Sequence, residues 1–242
     1  IPLRLVGSEM CIRDRAFMAL TVDSMAQLHR HNEHVRYVVV FQNWLKPAGA
    51  SIDHLHKQVV AIDEVGADNE SVLPKAVLDP GIFNRWGPDF AVEHGLVLAC
   101  NDGAVMTVGF GHRYPSVEVW STSRVDQPWR VDDEGIDAVS DLLHAAHVAV
   151  SDDVPANEEW HYRPMGTGVP VPWRIILKLR TSTLAGFEGG TKIYVNTISP
   201  TTLAAMLLPK LFEARAAGRI AAMNLGDECE IPRGVLAVTR ER

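Results

Sequence analysis

The sequence has little cysteine, no long apolar run and no excess of positive charge, and each of these features argues against a class of protein. Its three cysteines, Cys11, Cys100 and Cys229, lie far apart, which suits a reducing cytosol and offers no paired-cysteine metal knuckle. The longest apolar run, residues 35–41, is too short to cross a bilayer, and no signal-peptide pattern opens the chain. The net charge of −7 argues against a general nucleic-acid binder, although a nucleotide needs only a local cluster of donors. We therefore expect a cytoplasmic protein that binds neither nucleic acid nor a membrane.

The remaining composition is that of a soluble globular protein. The 242 residues are 47% hydrophobic and 22% charged, which is enough for one large domain or two smaller ones. Residues 1–15 have no clear periodicity, and LVGSEMCIRDR within them resembles a translated sequencing-adapter read. We predict that residues 1–15 are a non-native leader, that the native chain begins near Ala16, and that its N-terminal part is missing.

Short strands joined by tight turns, with few helices between them, indicate an antiparallel α+β fold with flanking helices. Residues 63–90 read as an irregular connector, and Pro209 should kink or split the last helix. The pattern predicts helices at 21–32, 132–150 and 199–218, and strands at 35–41, 54–62, 95–100, 104–110, 116–120, 157–165, 172–180 and 191–197.

A weak internal repeat accompanies this pattern. A helix, a strand and a histidine-containing strand occur within residues 21–62, and the helix at 132–150 followed by NEEWHYRP echoes them. The repeat predicts a duplicated unit whose first copy, residues 16–80, is incomplete and whose second copy is residues 81–242.

Three polar side chains alternate within ASIDHLHKQVV, at His54, His56 and Gln58. In a strand, residues two apart point to the same face, so these three groups would form one row. The preceding loop, residues 47–51, can direct backbone N–H groups and the Ser51 hydroxyl towards phosphate oxygens. Because imidazole is neutral near pH 7 and can form a covalent intermediate, this row is a candidate for phosphate chemistry.

The spacing N-x7-S-x2-H-x-H-x-Q, from Asn43 to Gln58, resembles the active-site motif of the galactose-1-phosphate uridylyltransferase family in the histidine-triad (HIT) superfamily. Two further segments add to the resemblance. TLAGFEGGTKIYVNTISP, residues 183–200, resembles the family's segment around Gly-Phe-Glu, and WHYRP around His161 resembles its His-aromatic-x-Pro strand. The resemblance implies a HIT-like duplicated unit and transfer of a nucleoside monophosphate through a covalent histidine.

The resemblance also implies residue roles. His56 would be the nucleophile, and Gln58 and Ser51 would hold the α-phosphate. Asn43 and Gly49 would contact the nucleotide. Phe187 and Glu188 of the Gly-Phe-Glu segment would bind the second substrate.

Metal sites of the family are only partly represented. His54 would orient His56 or bind zinc, but the cysteine pair and histidine that complete that zinc site would lie upstream. A second family metal site uses two histidines, of which the first is Glu159 here and the second is His161. The expected partners are a nucleotide sugar or nucleotide, a phosphorylated small molecule and a second copy of the chain in a homodimer.

Two differences from the family bear on the substrate. Gln58 stands where histidine-triad hydrolases have a third histidine, and since glutamine supplies no proton at neutral pH, transfer to a phosphate is favoured over hydrolysis. Ser182 stands where the family has a sugar-contacting lysine, so galactose is a doubtful substrate. Two alternatives stay open: a dinucleotide or nucleotide-sugar phosphorylase, and a non-catalytic nucleotide-binding module.

Overall fold

The computed structural model describes residues 7–52 and 54–236. These residues form one eight-stranded sheet with seven α-helices and three short 3-10 turns. The strands are β1 (Tyr37–Trp44), β2 (Lys57–Ile62), β3 (Val97–Cys100), β4 (Ala104–Val108), β5 (Ser116–Ser121), β6 (Ala156–His161), β7 (Arg174–Leu179) and β8 (Asn224–Leu225). The helices are α1 (Gly7–His31), α2 (Ala67–Leu78), α3 (Ile82–Trp86), α4 (Pro88–Glu93), α5 (Asp133–Val150), α6 (Gly186–Thr191) and α7 (Pro200–Ala216).

The sheet is antiparallel throughout, with the strand order β2-β1-β6-β7-β5-β4-β3-β8. Hairpins join β1 to β2, β3 to β4, β4 to β5 and β6 to β7, whereas helical connections carry the chain from β2 to β3, from β5 to β6 and from β7 to β8. The predicted α+β class with flanking helices is therefore confirmed.

The weak sequence repeat has a counterpart in this arrangement. Helix α1 is followed by the hairpin β1–β2, and helix α5 is followed by the hairpin β6–β7. The first strands of the two hairpins pair with each other, and the two helices pack together. Strands from both predicted units thus share one sheet, and the boundary between residues 80 and 81 stays a prediction.

Alternating burial along the central strands separates a covered face from an open face. On β6 the residues Ala156, Glu158 and Trp160 are buried, whereas Asn157 and the two residues that alternate after it are only half-buried. The buried side faces α1, α5 and α7, since strand side chains alternate between the two faces of a sheet. The apolar positions Met18, Val22 and Met25 of α1 and Leu142, Ala145 and Ala149 of α5 fill the space between helices and sheet.

A buried ion pair crosses the covered face. Lys57 of β2 and Glu158 of β6 both lie opposite Gln42 of the intervening strand β1, one on each side of it. The Lys57 ammonium bonds to the Glu158 carboxylate, and their side chains are 5% and 1% exposed. Glu158 also accepts hydrogen bonds from Trp160 Nε1 at 2.7 Å and from His147 Nε2 at 3.1 Å. Burial opposes ionisation of Glu158, but Lys57 and His147 outweigh it and lower the pKa of this carboxyl group.

Several local predictions are wrong. Residues 63–90 contain α2, α3 and α4 rather than an irregular connector, because Pro74 lies within a helix and disguises its pattern. The predicted strand at 191–197 is irregular after the end of α6. Helix α7 continues through Pro209 as one element, so this proline does not split it, and a kink there stays a prediction.

Helix α1 is longer than predicted at 21–32, since it begins at Gly7. Residues 1–6 of the predicted leader lie outside the described part of the chain, and the remainder of the leader is helical. Arg15 within it bonds to Asp141 of α5 at 2.9 and 2.6 Å. The non-native origin of residues 1–15 stays a prediction. No helix within residues 7–52 or 54–236 is long and apolar enough to cross a membrane.

We predict that Glu158→Gln lowers the free energy of unfolding by about 3–5 kcal/mol, because it leaves the Lys57 ammonium buried without its counter-charge. The double variant Lys57→Met, Glu158→Leu removes both charges and should recover most of this loss. Urea denaturation of the purified proteins measures both effects. The exposed Arg85–Asp79 pair, 2.7 Å apart, is the control, and Arg85→Met should cost less than about 1 kcal/mol. A Glu158→Gln protein as stable as the unaltered one would contradict the importance of the buried pair.

Candidate functional site

The connection between β1 and β2 carries most of the residues that the sequence motif singles out. It begins with Leu45 at φ +64° and a 3-10 turn over Lys46–Ala48. Gly49 closes the turn at φ +87°, a left-handed conformation that favours glycine. A side chain there would meet open space, so the backbone angle and not crowding explains this glycine.

The N–H groups of this turn are already used. Ala48 N and Ala50 N donate to Leu45 O at 3.1 and 3.2 Å, and Gly49 N donates to Lys46 O at 2.9 Å. The expectation that the loop directs these N–H groups at a phosphate is therefore not met in this structure. Gly49 shapes the turn, and its contact with a nucleotide stays a prediction. Ser51 is exposed at the bend that follows, with its hydroxyl open to a ligand.

His54 and His56 lie outside the strand that the sequence predicts for them. The ladder between β1 and β2 ends at Gln42 and Lys57, so both histidines belong to the connection, and the prediction of one continuous strand row is wrong for them. Strand β1 continues through Asn43 and Trp44, paired with β6, so it is the segment before Lys57 that leaves the ladder. His54 is exposed and His56 is half-buried.

The His56 ring is held by the backbone of its own loop. Its Nδ1 lies 2.8 Å from the carbonyl oxygen of His54. A carbonyl can only accept, so Nδ1 must carry the proton, and the neutral ring then has its lone pair on Nε2. His54 thus contributes its backbone carbonyl, which orients the neighbouring histidine. This is the arrangement that a nucleophilic imidazole requires.

Gln58 is the one member of the row that lies in β2. It pairs with Phe41 of β1, and residues directly opposite on antiparallel strands share a face. Asn43 lies two residues further along β1 on that same open face. The end of the hairpin therefore places Asn43 and Gln58 on the face of the sheet opposite α1 and α5.

Asn157 of β6 is a site residue that the sequence analysis missed. It pairs directly with Asn43, and its Nδ2 donates to Asn43 Oδ1 at 2.7 Å and to the Ala48 carbonyl at 2.7 Å. Arg180, just after β7, donates to Asn157 Oδ1 at 2.9 Å. The alternation in NEEWH could have placed Asn157 on the open face, but nothing local shows that it lies opposite Asn43.

Glu159 and His161 continue along the same face of β6. Lys178 Nζ lies 2.6 Å from Glu159 Oε2, and His161 Nε2 lies 3.7 Å from it. Burial opposes ionisation of Glu159, yet His161 and the Lys178 ammonium lower its pKa to about 2. Burial lowers the pKa of His161 and Arg174 adds to this, whereas the neighbouring Glu159 opposes it.

A cavity of about 460 Å³ lies beside these residues, between β1, β6 and the start of α2. Its volume falls in the range of small-molecule sites. Its polar groups come from β1, β6 and the start of α2, and apolar side chains complete the lining. Its lining includes Val39, Phe41, Asn43, Ile62, Val65, Asn69, Asn157, Glu159 and His161.

The family model described as Domain of unknown function (DUF4921) matches residues 6–238. The chain belongs to this family. A search of curated proteins found no significant match.

Solved structures share the fold of this DUF4921 protein. A crystal structure of an ADP-glucose phosphorylase from Arabidopsis thaliana with bound ADP-glucose superposes with a TM-score of 0.69 and 21% identity, covering 81% of this chain and 66% of that chain. A GalT-like protein from the same plant gives 0.68 and 19%, covering 81% and 68%. A uridylyltransferase structure gives 0.69 and 17%, covering 84% and 69%. The DUF4921 chain therefore shares the fold of these proteins, and it spans about two thirds of their length.

The predicted substrate residues of this DUF4921 protein lie in a short exposed helix. Phe187 is 53% exposed on α6, and Glu188 accepts a hydrogen bond from Ala185 N at 3.0 Å. The carboxylate thus caps its own helix, and backbone N–H donors lower its pKa. Contact of either residue with a substrate stays a prediction.

The predicted metal ligands are not gathered into one site. His54 is exposed in the connection before β2, and Glu159 and His161 lie on β6, where Lys178 already occupies Glu159. Among the residues that the structure describes, no group of three or more His, Cys, Asp or Glu side chains could hold a metal ion. Metal binding by this chain stays a prediction.

The hydrogen bond of His56 predicts an unusual tautomer. Free neutral imidazole of histidine carries its proton mainly on Nε2, whereas the neutral His56 ring should carry it on Nδ1. Two-bond ¹H–¹⁵N correlation spectra of ¹⁵N-histidine-labelled protein distinguish the two forms, and the His56→Asn variant assigns the signal. A His56 ring protonated on Nε2 at pH 8 would contradict the geometry.

Proposed function

We propose that this DUF4921 protein transfers a nucleoside monophosphate between phosphorylated substrates through a covalent intermediate on His56. The observation that carries the proposal is the hydrogen bond from His56 Nδ1 to the His54 carbonyl, 2.8 Å long. It leaves Nε2 with a free lone pair on a half-buried ring in the connection just before β2. The resemblance of the Asn43-to-Gln58 spacing to an active-site motif supports the same assignment.

The chemistry divides into two displacements. His56 Nε2 attacks the α-phosphorus of a nucleotide sugar or nucleotide, forming a P–N bond while the bond to the leaving phosphate oxygen breaks. The ring is then positively charged, and the His54 carbonyl accepts the Nδ1 proton more strongly. An oxygen of the acceptor phosphate next attacks the same phosphorus, and the P–N bond breaks. His56 returns to its neutral form, and no proton enters or leaves in either step when both leaving and attacking groups are phosphates.

Gln58 and Ser51 supply donors for this exchange. Gln58 presents its amide on the open face of β2, and the Ser51 hydroxyl is exposed in the connection. Both can donate hydrogen bonds to phosphate oxygens, and neither releases a proton at neutral pH. A phosphate leaving group does not need a proton, whereas poorer leaving groups do. Gln58 therefore favours transfer over hydrolysis.

The second substrate distinguishes transferase from phosphorylase. The first displacement is the same for both, and inorganic phosphate replaces a sugar phosphate in the second. Structural relatives described as a uridylyltransferase and as an ADP-glucose phosphorylase support both readings equally. A non-catalytic nucleotide-binding module is the alternative of another class, and the oriented His56 ring argues against it, since mere binding needs no defined tautomer.

Galactose 1-phosphate is disfavoured as the acceptor. Ser182 replaces the lysine of the resembling family, and two nearby cations already have partners on the sheet. Lys178 bonds to Glu159 at 2.6 Å, and Arg180 bonds to Asn157 at 2.9 Å. A hydroxyl cannot replace the charge of a lysine, so the acceptor differs from that of the family. Glu188 could still bind sugar hydroxyls.

Other features follow from the resemblance as part of the proposal. We place the protein in the cytoplasm and expect a homodimer. A zinc ion on His54 would need ligands that the described residues do not provide, and the same holds for a metal on Glu159 and His161. No step of the mechanism uses a metal.

We expect His56→Asn to abolish both transfer and covalent labelling while the fold persists, because the amide keeps polarity but cannot form the intermediate. The protein is incubated with α-³²P-labelled nucleotide sugars of each common base and quenched in base, where phosphoramidates survive. His34→Asn is the control, since His34 is an exposed histidine between α1 and β1, and it should label like the unaltered protein. Label retained by the His56→Asn protein would rule out His56 as the nucleophile.

Exchange assays with a panel of sugar phosphates, nucleoside polyphosphates and inorganic phosphate test the acceptor. Galactose 1-phosphate should be used roughly 2- to 30-fold less efficiently than the best member of the panel, since a charged hydrogen bond is worth about 1.5–3 kcal/mol and a neutral one ~1. Ser182→Lys should raise its use, whereas Thr181→Lys, one residue away, should not. Selective turnover of galactose 1-phosphate by the unaltered protein would refute this reading of Ser182.

A further inference from the structure

A chain of hydrogen bonds joins three strands on the open face. Arg180 Nη1 donates to Asn157 Oδ1 at 2.9 Å, and Asn157 Nδ2 donates to Asn43 Oδ1 at 2.7 Å. The second hydrogen of Asn157 Nδ2 goes to the carbonyl of Ala48 at 2.7 Å. Asn43 and Asn157 are directly opposite each other on β1 and β6, so the bonds run across the sheet.

The chemistry of the two ends fixes the direction of every bond. Arginine has only donors, and a backbone carbonyl has only an acceptor. Asn157 must therefore turn its oxygen to Arg180 and its NH₂ group to Ala48. The same NH₂ group also donates a hydrogen bond to the side-chain oxygen of Asn43. An asparagine amide is ordinarily ambiguous between its two orientations, and here the guanidinium removes the ambiguity.

Arg180 is itself firmly held. Its guanidinium lies 4.5 Å from the ring centroid of Tyr114, which is only 6% exposed. Its backbone N–H donates to the Pro155 carbonyl at 2.7 Å, which ties it to the start of β6. The donor at the head of the chain thus has little freedom to move.

We propose that Asn157 and Arg180 are positioning residues that fix the amide of Asn43 with its NH₂ group towards the ligand. With its oxygen occupied, Asn43 offers only N–H donors to the open face. The ligand atom opposite it must then be an acceptor, such as a phosphate or ribose oxygen of a nucleotide. The same two residues hold the turn over Lys46–Ala48 through the Ala48 carbonyl. This inference rests on the proposed nucleotide role of Asn43.

Asn157→Asp replaces the NH₂ donor of Asn157 with an acceptor oxygen and keeps the size of the side chain. An aspartate still accepts from Arg180, but it cannot donate to Asn43 or Ala48. Asn43 must then rotate to donate its NH₂ group to Asp, and its oxygen faces the ligand. We expect the affinity for a nucleoside diphosphate to fall at least about tenfold, the loss of one hydrogen bond to a charged group. Isothermal titration calorimetry with ADP and with UDP measures the Kd of the unaltered protein. The nucleotide that binds more tightly is then used with the variants.

Arg180→Met is the second variant, in case Asn157→Asp does not fold. It frees the Asn157 amide to flip and should weaken nucleotide binding by a smaller factor. Arg215→Met is the matched control, because it also removes a guanidinium that bonds a carboxylate and a backbone carbonyl, but between α7 and the chain beyond it. Its Kd should equal that of the unaltered protein.

A purely structural role for the network would change the urea midpoint and leave the Kd unchanged, and this result would overturn the inference. Failure of the unaltered protein to bind either nucleotide would overturn it as well. The proposed function fails separately. If Asn157→Asp weakens binding but His56 is never labelled, the positioning role stands and the covalent mechanism falls. If His56 is labelled and Asn157→Asp binds normally, the reverse holds.

Discussion

The position of the candidate site depends on the register of β2, β1 and β6, and the Lys57–Glu158 ion pair holds that register. Both residues lie opposite Gln42, one on each side of β1, so the pair spans the central strand beneath the helices. A slip of one residue would turn every side chain of a strand to the other face. It would expose Lys57 or leave Glu158 buried without its counter-charge, and a buried ion without its partner is strongly unfavourable. Because the buried ion pair fixes the register, Asn43, Gln58 and Asn157 lie on the opposite, open face.

The sequence predicts the class of the fold and much of the sheet because those elements follow local patterns. Strands β3, β4 and β5 are short and separated by clear turn signals, and α5 has an apolar face and an Asp132 N-cap that accepts from Gly135 N. The prediction is wrong where tertiary packing overrides the pattern. Pro74 lies inside α2, where a proline argues against a helix, and Pro209 lies inside α7, which continues through it as one element. The segment after α6 has strand-forming residues but no neighbouring strand to pair with.

The candidate site is likewise predictable where it depends on neighbouring residues in the sequence, and not where it depends on residues far apart in the chain. The spacing from Asn43 to Gln58 is visible in the chain, and the turn closed by Gly49 is where the motif predicts it. The extent of β2 is not visible, because the ladder with β1 ends at Lys57 although β1 itself continues, and this leaves His54 and His56 in the connection. The partners of Asn43 cannot be read from the sequence either, since Asn157 and Arg180 lie more than a hundred residues away. Only the pairing of β1 with β6 brings them together.

The central claim is that His56 carries the nucleotide between two phosphates. The most direct measurement is the intact mass of the protein after brief exposure to a panel of nucleotide sugars, followed by peptide mapping under basic conditions. The account predicts a gain of one nucleoside monophosphate, located on His56 and lost when an acceptor phosphate is added. An unmodified protein that turns substrate over, or a nucleotide attached to another residue, would contradict it.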